Sequence, residues 1–365
     1  MIYITYILFA MLFIRFLVVT INFISRPYLK QVKEPAQTPM VSVLIPARNE
    51  EKNLPKLLTD LKKTDYPNIE IIVCNDQSTD GTVQVLNGFK EQMPNLQYFT
   101  NHELPQGWIG KNFACHKLSE AAKGEFMLFL DADVRLASDT INSAIAQMQR
   151  KKLSLLSVFP QQIMETKGEF LSVPIMNWIL LTLLPLLAVK IPWYSSLSAA
   201  NGQFMLFQGD DYRQNQWHLK VYNQNVDDIL IARLIKKAKL KTDVKLGNKD
   251  VFCRMYENKT DAINGFARNI HQYFRGKRSW MLLFTFIIWS RLPFFAANGE
   301  WEILFLSIGI IIAMKTMTAN LSRQNIIQNI GYHIHHLINM TRIVLKNMRI
   351  KRNQTIEWKG RIYKD

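Results

Sequence analysis

Phe126-Met-Leu-Phe-Leu-Asp131-Ala132-Asp133-Val134 is the stretch from which the rest of the chain can be read. An apolar run rich in Phe and Leu ends in two acids one residue apart. A run of this length, bounded by polar residues, fits a buried parallel strand. Carboxylates at its C-terminal end project into the crevice where open α/β sheets bind ligands. Two acids that close repel each other, and a cleft solvates neither well. A divalent cation between them and a polyanion relieves that repulsion, which points to a nucleotide diphosphate. The other reading is a strand end followed by an Asp N-cap, because Asp-x-Asp is short and common.

The sequence around this stretch repeats its pattern. Residues 40–46 form a β-branched run, ended by Ala47-Arg48-Asn49-Glu50-Glu51. Residues 53–63 read as a helix with Leu54, Leu57, Leu58 and Leu61 on one face. A second strand over 69–74 ends in Asn75-Asp76-Gln77-Ser78-Thr79-Asp80-Gly81, with a helix beginning near Thr82. A third strand is expected over 96–99, and a helix led by Gly107-Trp-Ile-Gly-Lys111 ends near Gly124. Further strands are expected over 153–159 and 201–207, and Asp227-Asp228 opens an amphipathic, basic helix. Alternating strands and helices imply βαβ units with right-handed crossovers. The fold class is therefore α/β: a Rossmann-like, mostly parallel sheet with flanking helices. Parallel strands end on one rim, so Asp76 and the Asp131/Asp133 pair should share it. For Asp227 and Asp228 a helix-dipole role is the competing reading.

Composition bounds the partners. The net charge of +16 calls for an anionic partner. The sequence carries no helix-turn-helix, zinc-finger or RNA-recognition signature, so nucleic acid is not expected. Cys74, Cys115 and Cys253 are too dispersed for a disulfide framework or a metal quartet. Residues 1–25 are almost wholly apolar, with Arg15 the only full charge, and are expected to be a transmembrane or anchoring helix. Arg26, Lys30 and Lys33 follow, which places residues 26–39, a proline-containing linker, and the next domain on the cytoplasmic side.

The main domain is expected over 40–275, with an apolar insertion near 170–193. Pro174 and Pro185 break that insertion, which suits a helix in the membrane face or a buried wall. Residues 276–316 read as a membrane-associated helical hairpin, with each arm short for a span and Arg291 and Pro293 interrupting the first. The tail, 317–365, is amphipathic and then basic (Arg342, Lys346, Arg349, Lys351, Arg352, Lys359, Arg361), and reads as binding anionic membrane lipids. His333, His335 and His336 on that tail read as a headgroup-level face.

Four motifs together, Val41 to Glu50, Asn75 to Thr82, Asp131-Ala-Asp133 and Asp227-Asp228, resemble the inverting family 2 glycosyltransferases in order and spacing. That resemblance implies the GT-A fold, with a nucleotide-binding half and an acceptor half. Gly107 to Cys115 and the closing Glu357-Trp-Lys-Gly-Arg-Ile-Tyr363 are similar to the bacterial members that glycosylate polyprenoid lipids. The implied partners are a UDP-sugar, UDP-glucose first, and a lipid acceptor such as a carotenoid acid. Hopanoid or diacylglycerol acceptors, and a non-catalytic nucleotide-sugar-binding role, are the competing readings.

Residue by residue, the resemblance implies that Pro46, Ala47, Arg48 and Glu50 line the nucleoside and that Asp76 accepts from the uracil N–H. Asp131 and Ala132 would lie beside the donor, with Lys111 a candidate phosphate contact. Asp133, with Asp131, would hold Mn²⁺ or Mg²⁺, for which hard oxygen ligands are suited. Asp228 would be the catalytic base, with Asp227 its neighbour; the family's usual pair is Glu-Asp. The Gln-x-x-Arg-Trp of sugar-polymerising members is missing, and Gly265-Phe-Ala-Arg268-Asn269-Ile-His271 stands in a similar place. This favours transfer of a single sugar. His271 is read as a packed or surface histidine, with the diphosphate or metal as its alternative.

Overall fold

A computed structural model of the chain describes residues 2–191 and 193–350, together with the backbone of 356–358 and 361–363. Lys351, Arg352, Lys359 and the side chains of the closing 357–363 motif lie outside the described residues. The chain forms two units, one of residues 28–161, 189–254 and 355–365 and the other of residues 1–27, 162–188 and 255–354. Helix α1 (Ile2–Ser25), which opens the chain, belongs to the second.

The first unit alternates strand and helix through β1 (Val41–Ala47), α2 (Leu54–Lys62), β2 (Ile69–Asn75), α3 (Thr82–Lys90), β3 (Leu96–Thr100), α4 (Gly110–Ala121) and β4 (Phe126–Leu130). It continues with β5 (Val134–Leu136), α5 (Thr140–Lys151), β6 (Leu155–Phe159) and the two-residue β7 (Gln161–Gln162), where the chain leaves the unit. It resumes with β8 (Phe204–Gln208), α8 (Gly209–Asn215), α9 (Trp217–Lys220), α10 (Asp227–Lys237), β9 (Thr242–Leu246) and β10 (Val251–Cys253). The short strands β11 (Ile356–Trp358) and β12 (Arg361–Tyr363) pair with each other.

The main sheet has the order β3-β2-β1-β4-β8-β6-β9. Side-chain alternation explains why β4 sits in its interior. Phe126, Leu128 and Leu130 join a core with α2 and α5 on one face. Met127 and Phe129 join another with α4 and α10 on the opposite face. A strand buried on both faces reads as an unbroken apolar run, which is the pattern of the opening stretch.

One strand departs from the parallel arrangement. β8 runs antiparallel to both β4 and β6, with Leu130 opposite Phe204. The start of β8 therefore meets the end of β4. The strand expected over 201–207 begins only at Phe204, and residues 201–203 form the turn before it. That turn is delivered to the rim carrying Asp131, and Asp131 N–H donates to the Gln203 carbonyl at 3.3 Å.

The second unit is helical: α1, α6 (Lys167–Phe170), α7 (Pro174–Leu183), α11 (Lys259–Asn269), α12 (Arg278–Ala297), α13 (Trp301–Leu321), α14 (Ile326–Gly331) and α15 (His333–Arg349). The two prolines of the apolar insertion bound α7, with Pro174 in its first turn and Pro185 just past its end. Its ten residues are too few to span a bilayer, and Ile175, Trp178, Ile179 and Leu181 are all buried. Helix α7, within the insertion, is thus largely buried in this unit. The hairpin arms exceed expectation: α12 runs unbroken through Arg291 and Pro293 for 20 residues, and α13 for 21. Among the described residues α1, α12 and α13 are long and apolar enough to cross a membrane. His336 departs from the headgroup-level reading. It is buried, with Nε2 donating to the Phe170 carbonyl at 2.9 Å.

Leu128 is fully buried at the centre of β4. Leu128→Ala should lower the unfolding free energy by about 2–5 kcal/mol, measured as a reduced midpoint in denaturant titration of the purified protein.

Candidate active site

The acids expected on one rim follow β2 and β4, which flank β1 in the sheet of the first unit. Asp76 follows β2, is 2% exposed, and its N–H donates to the Ala47 carbonyl at the end of β1 at 2.8 Å. Arg48 ties the same two ends together, its guanidinium donating to the carbonyls of Asp76 at 2.6 Å and Gln77 at 3.1 Å. Glu50 is buried, and one of its carboxylate oxygens accepts from Asn53 Nδ2 at 3.1 Å. Pro46 and Ala47 close β1, with Ala47 buried.

The second cluster forms where β4 ends. Asp131 is paired with Lys111, whose Nζ lies 2.7 Å and 3.0 Å from the two carboxylate oxygens. Lys111 stands in the first turn of α4, one residue after its opening glycine. Burial works against its charge, but the carboxylates of Asp131 and Asp227 outweigh that and raise its pKa. Ala132 is buried, and Val134 N–H donates back to the Asp131 carbonyl at 3.2 Å, closing the tight turn that holds Asp133. Asp133 is hydrogen-bonded to Cys253. That thiol also accepts from Gln203 Nε2 at 2.7 Å, and burial pushes its pKa up, followed by the charge of Asp133. Cys253 therefore stays protonated and donates to the carboxylate.

Asp227 and Asp228 open α10. Asp228 Oδ2 accepts from Gly202 N–H at 3.1 Å, and its Oδ1 accepts from Ile229 N–H at 2.7 Å. A Cβ on Gly202 would lie 3.2 Å from Lys111 Nζ and 3.8 Å from Asp228 Oδ2. Lys111, itself paired with Asp131, and Asp228 thus converge on one glycine. Burial, and next the charge of Asp227, raise the Asp228 pKa to about 7, against two weaker hydrogen-bonding contributions and Lys111. A carboxylate held near neutrality can take up and release a proton at working pH.

Behind Asp227 stand Tyr212 and His218, both 1% exposed. The Tyr212 hydroxyl lies 2.5 Å from His218 Nδ1, and His218 Nε2 lies 3.7 Å from Asp227 Oδ2. Burial, then the charge on Lys111, lowers the His218 pKa to about 3. His218 is accordingly neutral, so its approach to Asp227 is not an ion pair. The tyrosine hydroxyl donates to Nδ1, which leaves the Nε2 proton facing Asp227.

His271 lies in the second unit, where Asn347 and Gln272 hold its ring nitrogens at 3.1 Å and 3.2 Å. It is a packed histidine there, as read from the sequence. Gly202, Gln203, Tyr212, His218 and Cys253 were not singled out in the sequence. Gly202 and Gln203 are brought in by the turn before the antiparallel β8, Tyr212 and His218 by α8 and α9 after it, and Cys253 by β10.

For a metal, the test is the donor set. Among the described residues no group of three or more His, Cys, Asp or Glu side chains could hold an ion. Asp133 and Asp131 offer hard carboxylate oxygens at one turn, which suits a cation that completes its shell with phosphate and water. The residues fit such an ion.

Residues 42–192 match the family described as glycosyl transferase family 2. A 4,4'-diaponeurosporenoate glycosyltransferase of Staphylococcus haemolyticus is 28% identical over 233 residues, covering 62% of this chain and 59% of that protein. A beta-monoglucosyldiacylglycerol synthase of Nostoc sp. is 30% identical over 135 residues, 36% of this chain and 28% of that one. The chain thus aligns with less than two thirds of either relative. A solved mannosyltransferase of Pyrobaculum calidifontis, in complex with GDP-mannose and Mn²⁺, matches with a TM-score of 0.59 at 17% identity. That match covers 96% of this chain and 98% of the other, and it makes the fold GT-A.

Removing the charge of Asp227 should release Asp228. In Asp227→Asn the Asp228 midpoint should fall below about 7, read from the pH dependence of the infrared carboxyl band that Asp228→Asn abolishes. An unmoved midpoint would show that burial alone sets it.

Proposed function

The chain carries a glycosyl transferase family 2 domain, and from that premise we propose a membrane-associated, inverting glycosyltransferase that moves one sugar from a UDP-sugar to a lipid acceptor. What carries this reading is Asp228, a carboxylate whose pKa is raised by burial and by Asp227, and which meets Lys111, the partner of Asp131, at Gly202. Inversion needs a single base opposite the leaving group, which deprotonates the acceptor hydroxyl as it attacks the anomeric carbon. Asp228 takes that role. Its two backbone partners, Gly202 N–H and Ile229 N–H, hold the carboxylate in place. Asp227, backed by the Tyr212–His218 pair, keeps it basic.

Donor binding falls to the other strand ends. Pro46, Ala47, Arg48 and Glu50 shape the nucleoside end, and the Asp76 carboxylate accepts from the uracil imide N–H. Lys111 sets the charge balance beside the diphosphate. Asp133, with Asp131, would hold Mn²⁺ or Mg²⁺, which when bound supplies Lewis-acid stabilisation of the departing diphosphate. Two acids and one lysine leave a net negative rim until a cation and a polyanion arrive together.

UDP-glucose is the first donor to try, and a carotenoid acid resembling diaponeurosporenoate is the leading acceptor, supported by the longest alignment above. Diacylglycerol is the second reading, supported by the Nostoc relative. The two differ in what Asp228 must do. A carboxylic acid is already ionised at neutral pH and needs no base, whereas a hydroxyl does. The helices long and apolar enough for a membrane, α1, α12 and α13, suit an acceptor that lives in one.

The deciding experiment incubates membranes containing the protein with labelled UDP-glucose, UDP-galactose and UDP-N-acetylglucosamine and extracts the lipids. No labelled lipid with any donor would sink the proposal. With a hydroxyl acceptor, the rate should fall as pH drops through about 7, because the base is then protonated. With a carotenoid acid that acidic limb should be absent. Asp228→Asn should lower turnover of a hydroxyl acceptor by about 10²–10⁴-fold. Chelation with EDTA should abolish transfer, with recovery on adding Mn²⁺ or Mg²⁺.

A further inference from the structure

The helical unit buries charge in its interior. Arg15 of α1, Arg291 of α12 and Lys315 of α13 are only 8%, 3% and 2% exposed. Among the described residues no carboxylate forms an ion pair with any of them. Lys315 has a neutral partner, His336 Nδ1 at 3.0 Å. Arg15 donates to the Thr182 hydroxyl at 2.7 Å and lies over the Trp178 ring, 4.4 Å from its centroid. These contacts leave the charges themselves uncompensated. A lysine can discharge when buried, but a guanidinium in a protein does not. Two such groups in an apolar helical layer call for an anion.

A cavity of about 180 Å³ lies between them. Arg15, Arg291 and His333 line it, and each has a buried nitrogen without a hydrogen-bond partner: Nε of both arginines and Nδ1 of the histidine. The remaining wall is apolar and aromatic, including Trp289, Leu292, Ile311 and Met314. The pocket thus combines fixed positive charge, unused polar atoms and a greasy lining. That is the complement of a molecule with one anionic group and a hydrocarbon chain. A soluble anion would leave the apolar wall unused, and a neutral lipid would leave the arginines unpaired.

We propose that this cavity binds the anionic group, phosphate or carboxylate, of a membrane amphiphile, held between Arg15 and Arg291 with its chain along the apolar wall. The proposal does not rest on the transfer reaction proposed above, and a failed transfer assay would not bear on it.

Native mass spectrometry of the full-length protein in detergent tests this, with phosphatidylglycerol, oleate and phosphatidylcholine as separate probes. One phosphatidylglycerol or one oleate should survive a wash that strips phosphatidylcholine. Survival of the first marks a phospholipid phosphate as the natural anion, and survival of the second a carboxylate. Arg291→Gln should reduce retention about tenfold or more, the value of a charge-assisted hydrogen bond. Leu292→Trp fills the cavity while keeping both arginines, and should also evict the lipid. Equal retention of phosphatidylcholine, or unchanged retention in Leu292→Trp, overturns the proposal. Should Arg291→Gln fail to fold, the wild-type preference and Leu292→Trp decide the matter.

Discussion

Lys111 is what allows several carboxylates to crowd one end of a sheet. Its ammonium sits 2.7 Å from Asp131 and is held charged by Asp131 and Asp227, despite the burial that opposes it. Without that cation, these carboxylates would stand together with no ammonium counter-charge among them. With it, the acids divide. Asp131 stays paired, and Asp228 is left near neutrality by burial and by Asp227. One lysine in the first turn of α4 therefore supplies the counter-charge at this end of the sheet.

The second requirement is geometric, and a single reversed strand meets it. In a wholly parallel arrangement the turn after β4 would face only other strand ends. Because β8 runs antiparallel, its leading turn arrives beside Asp131, and Gly202 presents a backbone N–H to Asp228. The same turn carries Gln203, which reaches Cys253 and through it Asp133. A side chain at position 202 would press on Lys111 Nζ, so glycine favours close approach here and does not serve an unusual backbone angle.

The helical unit shows the opposite electrostatic problem. Arg15, Arg291 and Lys315 are buried there with no ion-paired acid among the described residues, and cation–π contacts with Trp178 moderate Arg15 and Lys315. Aromatic faces and one threonine hydroxyl can orient a guanidinium, but they cannot cancel its charge. The acids at the strand ends have a lysine and backbone N–H groups as partners, whereas Arg15 and Lys315 between the long apolar helices have neutral ones.

Local pattern carries much of this protein. Apolar runs ending in acids determined β1, β2 and β4 and the rim on which Asp76, Asp131 and Asp133 lie. That is because a doubly buried parallel strand has to be continuously apolar and has to end where ligands bind. Helix lengths were less legible: α12 was read as broken at Arg291 and Pro293, yet packing carries it through both. Long-range placement was not legible at all. Nothing in the spacing of residues 201–218 announces that β8 turns back, that Gly202 meets Asp228, or that Tyr212 and His218 stand behind Asp227. Residue types and their order are enough to determine a strand, because strand and helix signals are local. The proton affinity of Asp228 depends on which charges and how much water surround it, and only the tertiary structure decided that.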